Sequence, residues 1–500
     1  MAMEPWLIVL GIIVGYSILC LLFGLQCWRV GKVNIEDFVV GDRQIGFIVL
    51  YFTYTATFMS SFAFLGAPGW IYSRGVSFFA TFISCVFSPL FMYIFGYRCW
   101  LLGKRYGYLT PSDLLADFYG SDLVRALVAI LSLIFLVPYI QTQMMASGYL
   151  LEAGTGGRIP YMWGTLFLLA VVVIYSLLGG IRAVAWTDVF QGIWGFAAIW
   201  IAGLYISQVV MGTIDPAFIV RRIEEAKPGL LLFSEAGWPA YMSLFLGLAG
   251  ISLYPPMWIR YYIAKSPKIL KWTAVLSPIY YVWWYLPCFV IAWAGSLAMP
   301  GLKQPDNISP EMMVKYAPAW LVGLVFAGGM AAAMSTADSQ LHACSAIFTR
   351  DIYQRFLNPR ASERSMVILS RALTAIFGFL SVVLAILFPS TIVMIVAMSL
   401  SSFLMLIPLL VGAIYWPRAT KWGAVAGLVS GLAVLALTMF VYTRPFGVTG
   451  VVPGVWALIA SSIAFVVVSY ATKPPPPDVI SRFHGYLESE IYKGGPKTGN

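Results

Sequence analysis

Apolar runs long enough to cross a bilayer recur thirteen times along this chain, with only short polar loops between them. Their approximate limits are 5–28, 46–72, 77–97, 123–151, 160–179, 187–211, 238–258, 272–298, 319–349, 366–388, 390–415, 422–442 and 452–471. In hydrocarbon every backbone N–H and C=O must find its partner within the protein, so only α-helices and closed β-barrels span a membrane. Runs of about 20 residues suit helices rather than the shorter strands of barrels. Residues 1–471 therefore read as an all-α polytopic membrane domain of about 13 transmembrane helices, and 472–500 as a Pro-rich tail opening with Lys473 and four prolines.

Charge then orients the spans. Only 10% of the residues are charged, far below the roughly 25% of globular chains. The net charge of +10 is scattered through short loops rather than gathered in one patch, which argues against nucleic acid as a partner. With the N-terminus outside, 23 of the 31 lysines and arginines lie in or beside inward loops and the tail. That bias matches the positive-inside rule and favours an odd number of spans, N-terminus out and C-terminus in the cytoplasm. The first run lacks a basic leader and continues to full span length, so it reads as a helix rather than a cleaved signal. The six cysteines have no paired spacing, which indicates neither a disulfide framework nor a zinc site.

One span stands apart. From Ala319 to Thr349 the only ionisable residues are Asp338 and His342, and a carboxylate at that depth costs at least about 2.5 kcal/mol and reads as functional by default. Small residues, Ala331 to Ala333, and hydroxyls, Ser335, Thr336 and Ser339, surround it, which suggests a site for a small hard cation. His342, one turn below, reads as a core histidine. Two other spans are broken as helices: the second, through Thr53–Ser61 and Gly66-Ala-Pro-Gly69, and the seventh, through Gly247-Leu-Ala-Gly250 and Tyr254-Pro-Pro256. Interrupted spans at matching places in two halves point to an inverted-repeat transporter, with spans 2–6 and 7–11 as the repeats. Unwound turns there free carbonyls for a cation. Thr110-Pro-Ser-Asp113 reads as a helix start, and Thr187-Asp188 as another.

These residues resemble a known family. Ala332-Ala-Met-Ser-Thr-Ala-Asp-Ser-Gln340 with Ser345 and Arg350-Asp-Ile-Tyr353, Asp37–Gly46, Gly179–Gln191, and Pro255 with Arg260 are similar to motifs of the sodium:solute symporter family, over nearly the whole chain. The resemblance implies a LeuT-type fold with an inverted five-helix repeat and solute uptake driven by Na+. Its principal sodium site would use the carbonyls of Ala56, Met59 and Ala332 with the hydroxyls of Ser335 and Thr336. A second cation site, present in some members, would use Asp188, Ser335, Asp338 and Ser339; many relatives have Ser or Thr where this chain has Asp338. The solute would be touched by Ser60, Ser61, Phe62, Gln141, Gln143, Gly247, Ile251 and Tyr254. No Lys or Arg is expected from a span interior, so an anionic solute would rest on helix dipoles, hydroxyls and the two glutamines.

Phe58, Gly247 and Ile251 depart from the residues of proline carriers, and the run Tyr54–Ser61 looks closest to pantothenate and monocarboxylate branches. The expected function is sodium-coupled import of a small organic acid by alternating access, in the inner membrane. Proton coupling through Asp338 and His342, a proline-like solute, and a solute-sensing receptor are the alternatives. With two histidines and no metalloprotease or Ser-His-Asp pattern, an enzyme is not expected. Membrane lipid is a partner; Arg350, Arg355, Arg360 and Arg364 are placed to meet anionic lipid, and the tail is compatible with a small partner subunit. For a monoanion one sodium supports only about tenfold accumulation from a tenfold gradient, so an anion carrier gains most from a second sodium.

Overall fold

The computed structural model describes residues 3–28, 34–233 and 237–491. Among them the chain is helical apart from loops and one isolated backbone bridge. In order the helices are α1 (Pro5–Trp28), α2 (Phe47–Phe58), α3 (Ala67–Arg74), α4 (79–106), α5 (Pro111–Tyr119), α6 (Asp122–Gly154), α7 (Tyr161–Leu177) and α8 (Gly179–Met211). They continue as α9 (Pro216–Ala226), α10 (Gly237–Ala249), α11 (Pro255–Ile263), α12 (Pro267–Ala298), α13 (Ile308–Tyr316), α14 (Ala319–Ile347) and α15 (Glu363–Leu387). The last four are α16 (Ile392–Tyr415), α17 (Lys421–Phe440), α18 (Pro453–Ala471) and a tail helix, α19 (477–491). Each of the thirteen expected spans meets one of these helices or a broken pair.

Both expected breaks are present. α2 stops at Phe58 and the chain resumes as a wide helical turn, Phe62–Gly66, that runs into α3. α10 runs through a tight turn, Gly250–Ser252, and α11 leaves at a bend of 45°. Pro255 and Pro256 suit the first turn of α11, where no intrahelical donor is needed. The two broken spans are tied together where α2 begins and α11 ends: Ile45 N–H donates to the Ile263 carbonyl at 3.1 Å, and Lys265 N–H to the Ile45 carbonyl at 3.0 Å.

α14 is the central post. Every residue from Val325 to Ile347 is buried, because α1, α2, α6, α8 and α15 pack around it. Small residues permit that approach: a Cβ on Gly328 would fall 2.0 Å from the Ala198 Cβ of α8. α7 and α8 are divided at Gly180, whose φ of 53° and ψ of −148° suit only glycine. The fold corrects one boundary here. Gly179-Gly180, rather than Thr187-Asp188, opens the sixth span, and Asp188 lies inside α8 instead of capping it.

The loops assigned inward gather at one end, the tail side. Arg43 donates to the Tyr108 carbonyl, Arg182 pairs with Asp37, Trp100 donates to the Ala264 carbonyl, and Ile35 N–H reaches Glu363. The Thr110 hydroxyl caps α5 as expected, accepting from Asp113 N–H at 3.2 Å. Asp113 in turn meets Arg125 at 2.6 Å and Arg350 at 3.4 Å. Burial alone would raise its carboxyl, but Arg350 and Arg125 beside it hold it below the usual carboxylate range. Arg355 pairs with Asp122 at 2.6 Å. Two of the four arginines expected at lipid are thus engaged within the protein; Arg360 and Arg364 are exposed.

The described part of the tail is docked against the helices. The Pro474–Pro477 run leads into α19, where Arg482 pairs with Asp117 at 2.7 Å and the Phe483 ring packs on Tyr106 and Phe118.

Candidate cation and solute site

At the first break, four carbonyls lose their helical donors. In a continuous helix the N–H groups of Ser60, Ser61, Phe62 and Ala63 would serve Ala56, Thr57, Phe58 and Met59. Instead Ser60 donates to the Phe58 carbonyl (3.1 Å), Ser61 to Gln143 Oε1 (3.0 Å), Phe62 to Ser60 Oγ (3.2 Å) and Ala63 to the Ser60 carbonyl (2.9 Å). Two hydroxyls of α14 meet the freed oxygens. Ser335 Oγ lies 3.0 Å from the Ala56 carbonyl and 3.2 Å from that of Ala332. Thr336 Oγ1 lies 3.0 Å from the Thr57 carbonyl and 3.3 Å from that of Ala332.

Ala56, Ala332, Ser335 and Thr336 are therefore brought together, with Met59 at the break itself, where φ is −85° and ψ is 77°. The Thr57 carbonyl is a further oxygen that the sequence does not mark. All of these donors are neutral oxygens shielded from water, the set that suits a hard cation of low charge.

Three of the four residues expected at a second cation site meet directly, Ser339 Oγ lying 2.9 Å from the Ser335 carbonyl and 3.1 Å from Asp338 Oδ1, and Arg260 bridges Ser339 to the fourth, Asp188. The Ser335 hydroxyl faces the first group. Asp188 and Ser339 instead meet Arg260, whose Nη2 lies 2.5 Å from Ser339 Oγ, 2.8 Å from Thr57 Oγ1, 3.0 Å from Thr53 Oγ1 and 3.4 Å from Asp188 Oδ2. Thr53 Oγ1 donates to Asp188 Oδ2 at 2.5 Å. Asp338 is turned toward α7, accepting from Tyr175 Oη at 2.6 Å on Oδ2 and from Ser339 Oγ at 3.1 Å on Oδ1. His342 is a core histidine as read: its Nε2 lies 3.2 Å from the Val39 carbonyl and its ring beside Phe38.

The expectation of no cation from a span interior is corrected by Arg260, which is fully buried in α11. The seventh span was drawn to end at Trp258, whereas the helix continues to Ile263. A lone arginine in the apolar run Met257–Ile263, one turn after Pro256, was the available signal. Thr53, Thr57 and Tyr175 belong to the site as well, and only their depth in apolar spans marked them.

The residues expected around the solute are all buried, but they fall into separate groups. Ser60 meets Tyr139 Oη at 3.4 Å, and the Tyr139 ring lies 5.9 Å from that of Tyr254. Ser61 is held by Gln143 through its N–H, and its Oγ donates to the Thr142 carbonyl at 3.2 Å. Phe62 lies beside Phe78, and Ile251 sits in the tight turn of the second break.

Gln141 is not brought to this group. Two residues from Gln143, it faces the other side of α6 and donates to the carbonyls of Leu384 at 3.3 Å and Phe388 at 2.9 Å. Gly247 lies against Val452, where a Cβ would fall 2.7 Å from Val452 Cγ2, so its lack of a side chain serves packing rather than a roomier pocket. The hydroxyls of Tyr54, Tyr254 and Tyr281 are among the buried ones that have no hydrogen-bond partner.

A model of the sodium:solute symporter family matches residues 38–431. Similar curated proteins include the uncharacterized symporter YhjB of Bacillus subtilis, 26% identical over 441 residues, which cover 86% of this chain and 88% of YhjB. The osmoregulated proline transporter OpuE of the same organism is 27% identical, covering 92% and 94%. The sodium/pantothenate symporter of Escherichia coli is also 27% identical, covering 90% and 94%. Among solved structures, a Na+-coupled sialic acid symporter in a substrate-bound outward-open state superimposes with a TM-score of 0.80 at 19% identity, over 93% of this chain and 98% of that one. Mhp1, a nucleobase-cation-symport-1 family transporter, superimposes with a TM-score of 0.53 at 15% identity, over 90% and 98%. These two likenesses show the fold.

Proposed function

This chain belongs to the sodium:solute symporter family, and from that premise we propose that it is a sodium-coupled secondary active symporter importing a small organic solute by alternating access. The observation that carries the coupling ion is the meeting of the Ala56 and Thr57 carbonyls, freed by the break in α2, with Ser335 and Thr336 on the unbroken post α14. A cation bound there holds the broken helix against the post. Its departure releases one from the other, which is the coupling a symporter needs.

The solute we infer is a small monocarboxylate or pantothenate-like acid, received where Ser60, Ser61 and Gln143 meet Tyr139 and Tyr254, with the orphan Tyr254 hydroxyl able to donate to a carboxylate. A proline-like solute is the second reading, favoured by relatives named as proline transporters at similar identity. The repeats are assigned to spans 2–6 and 7–11, and the tail side to the cytoplasm of a bacterial cell whose inner membrane holds the protein. The charge bias and the gathering of the basic loops at one end support that orientation.

Uptake into proteoliposomes tests the proposal, with labelled pantothenate, lactate, pyruvate, acetate and proline under an inward sodium or an inward proton gradient. The expected result is sodium-driven uptake of an acid, reduced at least tenfold by Ser335→Ala/Thr336→Ala. Uptake driven by protons alone would sink the sodium assignment, and uptake of proline alone would move the solute to the second reading.

A further inference from the structure

Where α17 begins and α18 ends, on the tail side, a cavity of about 610 Å3 opens between these two helices, the proline run 474–476 and the end of α5. Lys421 and Lys473 line it, and no acidic residue does. Elsewhere at this end Arg125, Arg182, Arg350, Arg355 and Arg482 each meet a carboxylate. Lys421 instead stands 5.5 Å from the Trp422 ring, and neither lysine forms an ion pair among the described residues. The Thr420 and Thr472 hydroxyls, 2.7 Å apart, join the start of α17 to the end of α18. Arg418 adds a third positive charge beside them: its Nη2 donates to the Thr472 carbonyl at 2.7 Å, while its Nη1 is buried with no hydrogen-bond partner.

The flank of the cavity is apolar and exposed. Ile463, Val467 and Tyr470 follow one another turn by turn along α18, and Trp422 stands on the first turn of α17. An exposed apolar stripe on a span is a surface that lipid covers, and aromatic rings at its end mark the level of the head groups. We propose that this cavity seats the phosphate-bearing head group of one anionic phospholipid, drawn from the leaflet on the tail side, which is the inner leaflet in the orientation given above. Charge and place select this ligand. Acyl chains lying along the stripe bring their phosphate to the two lysines, whose ammonium groups donate to its oxygens. A zwitterionic head group would carry its own ammonium into a cavity walled by cations and no acid, where like charges repel. Because Lys473 and the prolines lead into α19, the bound head group also fastens the tail beside its contacts with α5.

Native mass spectrometry of the purified full chain in detergent, titrated with dioleoyl phosphatidylglycerol or dioleoyl phosphatidylcholine, tests this without reference to solute or coupling ion. On wild type the first phosphatidylglycerol should bind roughly tenfold tighter than phosphatidylcholine, and Lys421→Gln/Lys473→Gln should remove that preference, at about fivefold per lysine. Both lysines are exposed, so their replacement leaves the fold intact. Ala471→Trp, which fills the cavity from an exposed position with the charge unchanged, should weaken phosphatidylglycerol as well. Arg360→Gln/Arg364→Gln, which removes the same charge from exposed positions elsewhere at this end, should not. Equal losses in the two double variants, or no loss in Ala471→Trp, would overturn the inference in favour of diffuse attraction to basic loops. Glycerol 3-phosphate and inorganic phosphate at millimolar concentration should leave the lipid in place; displacement by either would overturn the lipid assignment and make the cavity a site for free phosphate. Equal binding of the two lipids by wild type also overturns it, and leaves the symport reading and the orientation untouched.

Discussion

Gly250 shows how tightly single residues are fixed at the second break. A Cβ there would fall 2.2 Å from the Leu400 carbonyl, a main-chain atom of α16 that cannot swing aside. Gly250→Ala should destabilise the protein by about 1–3 kcal/mol, seen as a lower thermal unfolding midpoint in detergent. Gly229→Ala, whose added methyl meets nothing within 4 Å, should leave the midpoint in place. Side-chain roles were legible where chemistry was concentrated: Ser335, Thr336 and Asp338 stand in one apolar run and were singled out from it. They were not legible where a role depended on what another segment brings. Asp188 read equally as a helix cap until Gly180 placed the turn two helical turns earlier, and Arg260 read as a loop charge because an apolar stretch ending at Trp258 hides the last turn of α11. Gln141 and Gln143 look equivalent in sequence, yet helical rotation sends one to the carbonyls at the end of α15 and the other to the broken turn of α2.

Among helices, the two broken spans and the central post could be read directly, since proline, glycine and β-branched residues at membrane depth leave a pattern that hydrophobic helices lack. The docking of α19 could not, because its anchors, Tyr106, Asp117 and Phe118, lie more than 350 residues earlier in the chain. Its hold should vary with pH. His484 packs edge-on to Phe118, and burial lowers its affinity for a proton, with Glu488 opposing in part. A histidine whose pKa is depressed by docking favours the docked form fully above the ordinary value of about 6.5 and loses that contribution as pH falls through the lowered value. The protection factors of the α19 amides, exchange rates corrected for the intrinsic rate at each pH, should therefore fall as pH drops below about 6.5, and His484→Phe should remove most of that dependence. Asp113, held low by its arginines, keeps its charge as pH falls through this region, so the protection factors of α5 should change little.

For the protein as a machine, the number of sodium ions carried per cycle would set the energetics of the proposed symport. A sodium ion moving down about 100 mV yields roughly 2.3 kcal/mol, and a tenfold gradient adds about 1.4. With one sodium and a monoanionic solute the charges cancel, the voltage contributes nothing, and accumulation stops near tenfold, whereas two sodium ions restore the voltage and reach roughly several thousandfold. Accumulation of the transported acid in proteoliposomes should accordingly be unchanged by an inside-negative potassium diffusion potential for a 1:1 symporter of a monoanion, and should rise with it for a 2:1 symporter. A rise with voltage would require a second cation per cycle. The arrangement around α14 also bears on how the chain is made. Of the helices that pack on this post, α1, α2, α6 and α8 precede it in the chain, and so do Tyr175, which receives Asp338, and Arg260, which answers Asp188. Because domains assemble from the N-terminus as the ribosome proceeds, this carboxylate-bearing span emerges after four of the five helices that pack on it, α15 alone following. Its carboxylate can pass from the translocon into a prepared protein interior without first lodging in lipid.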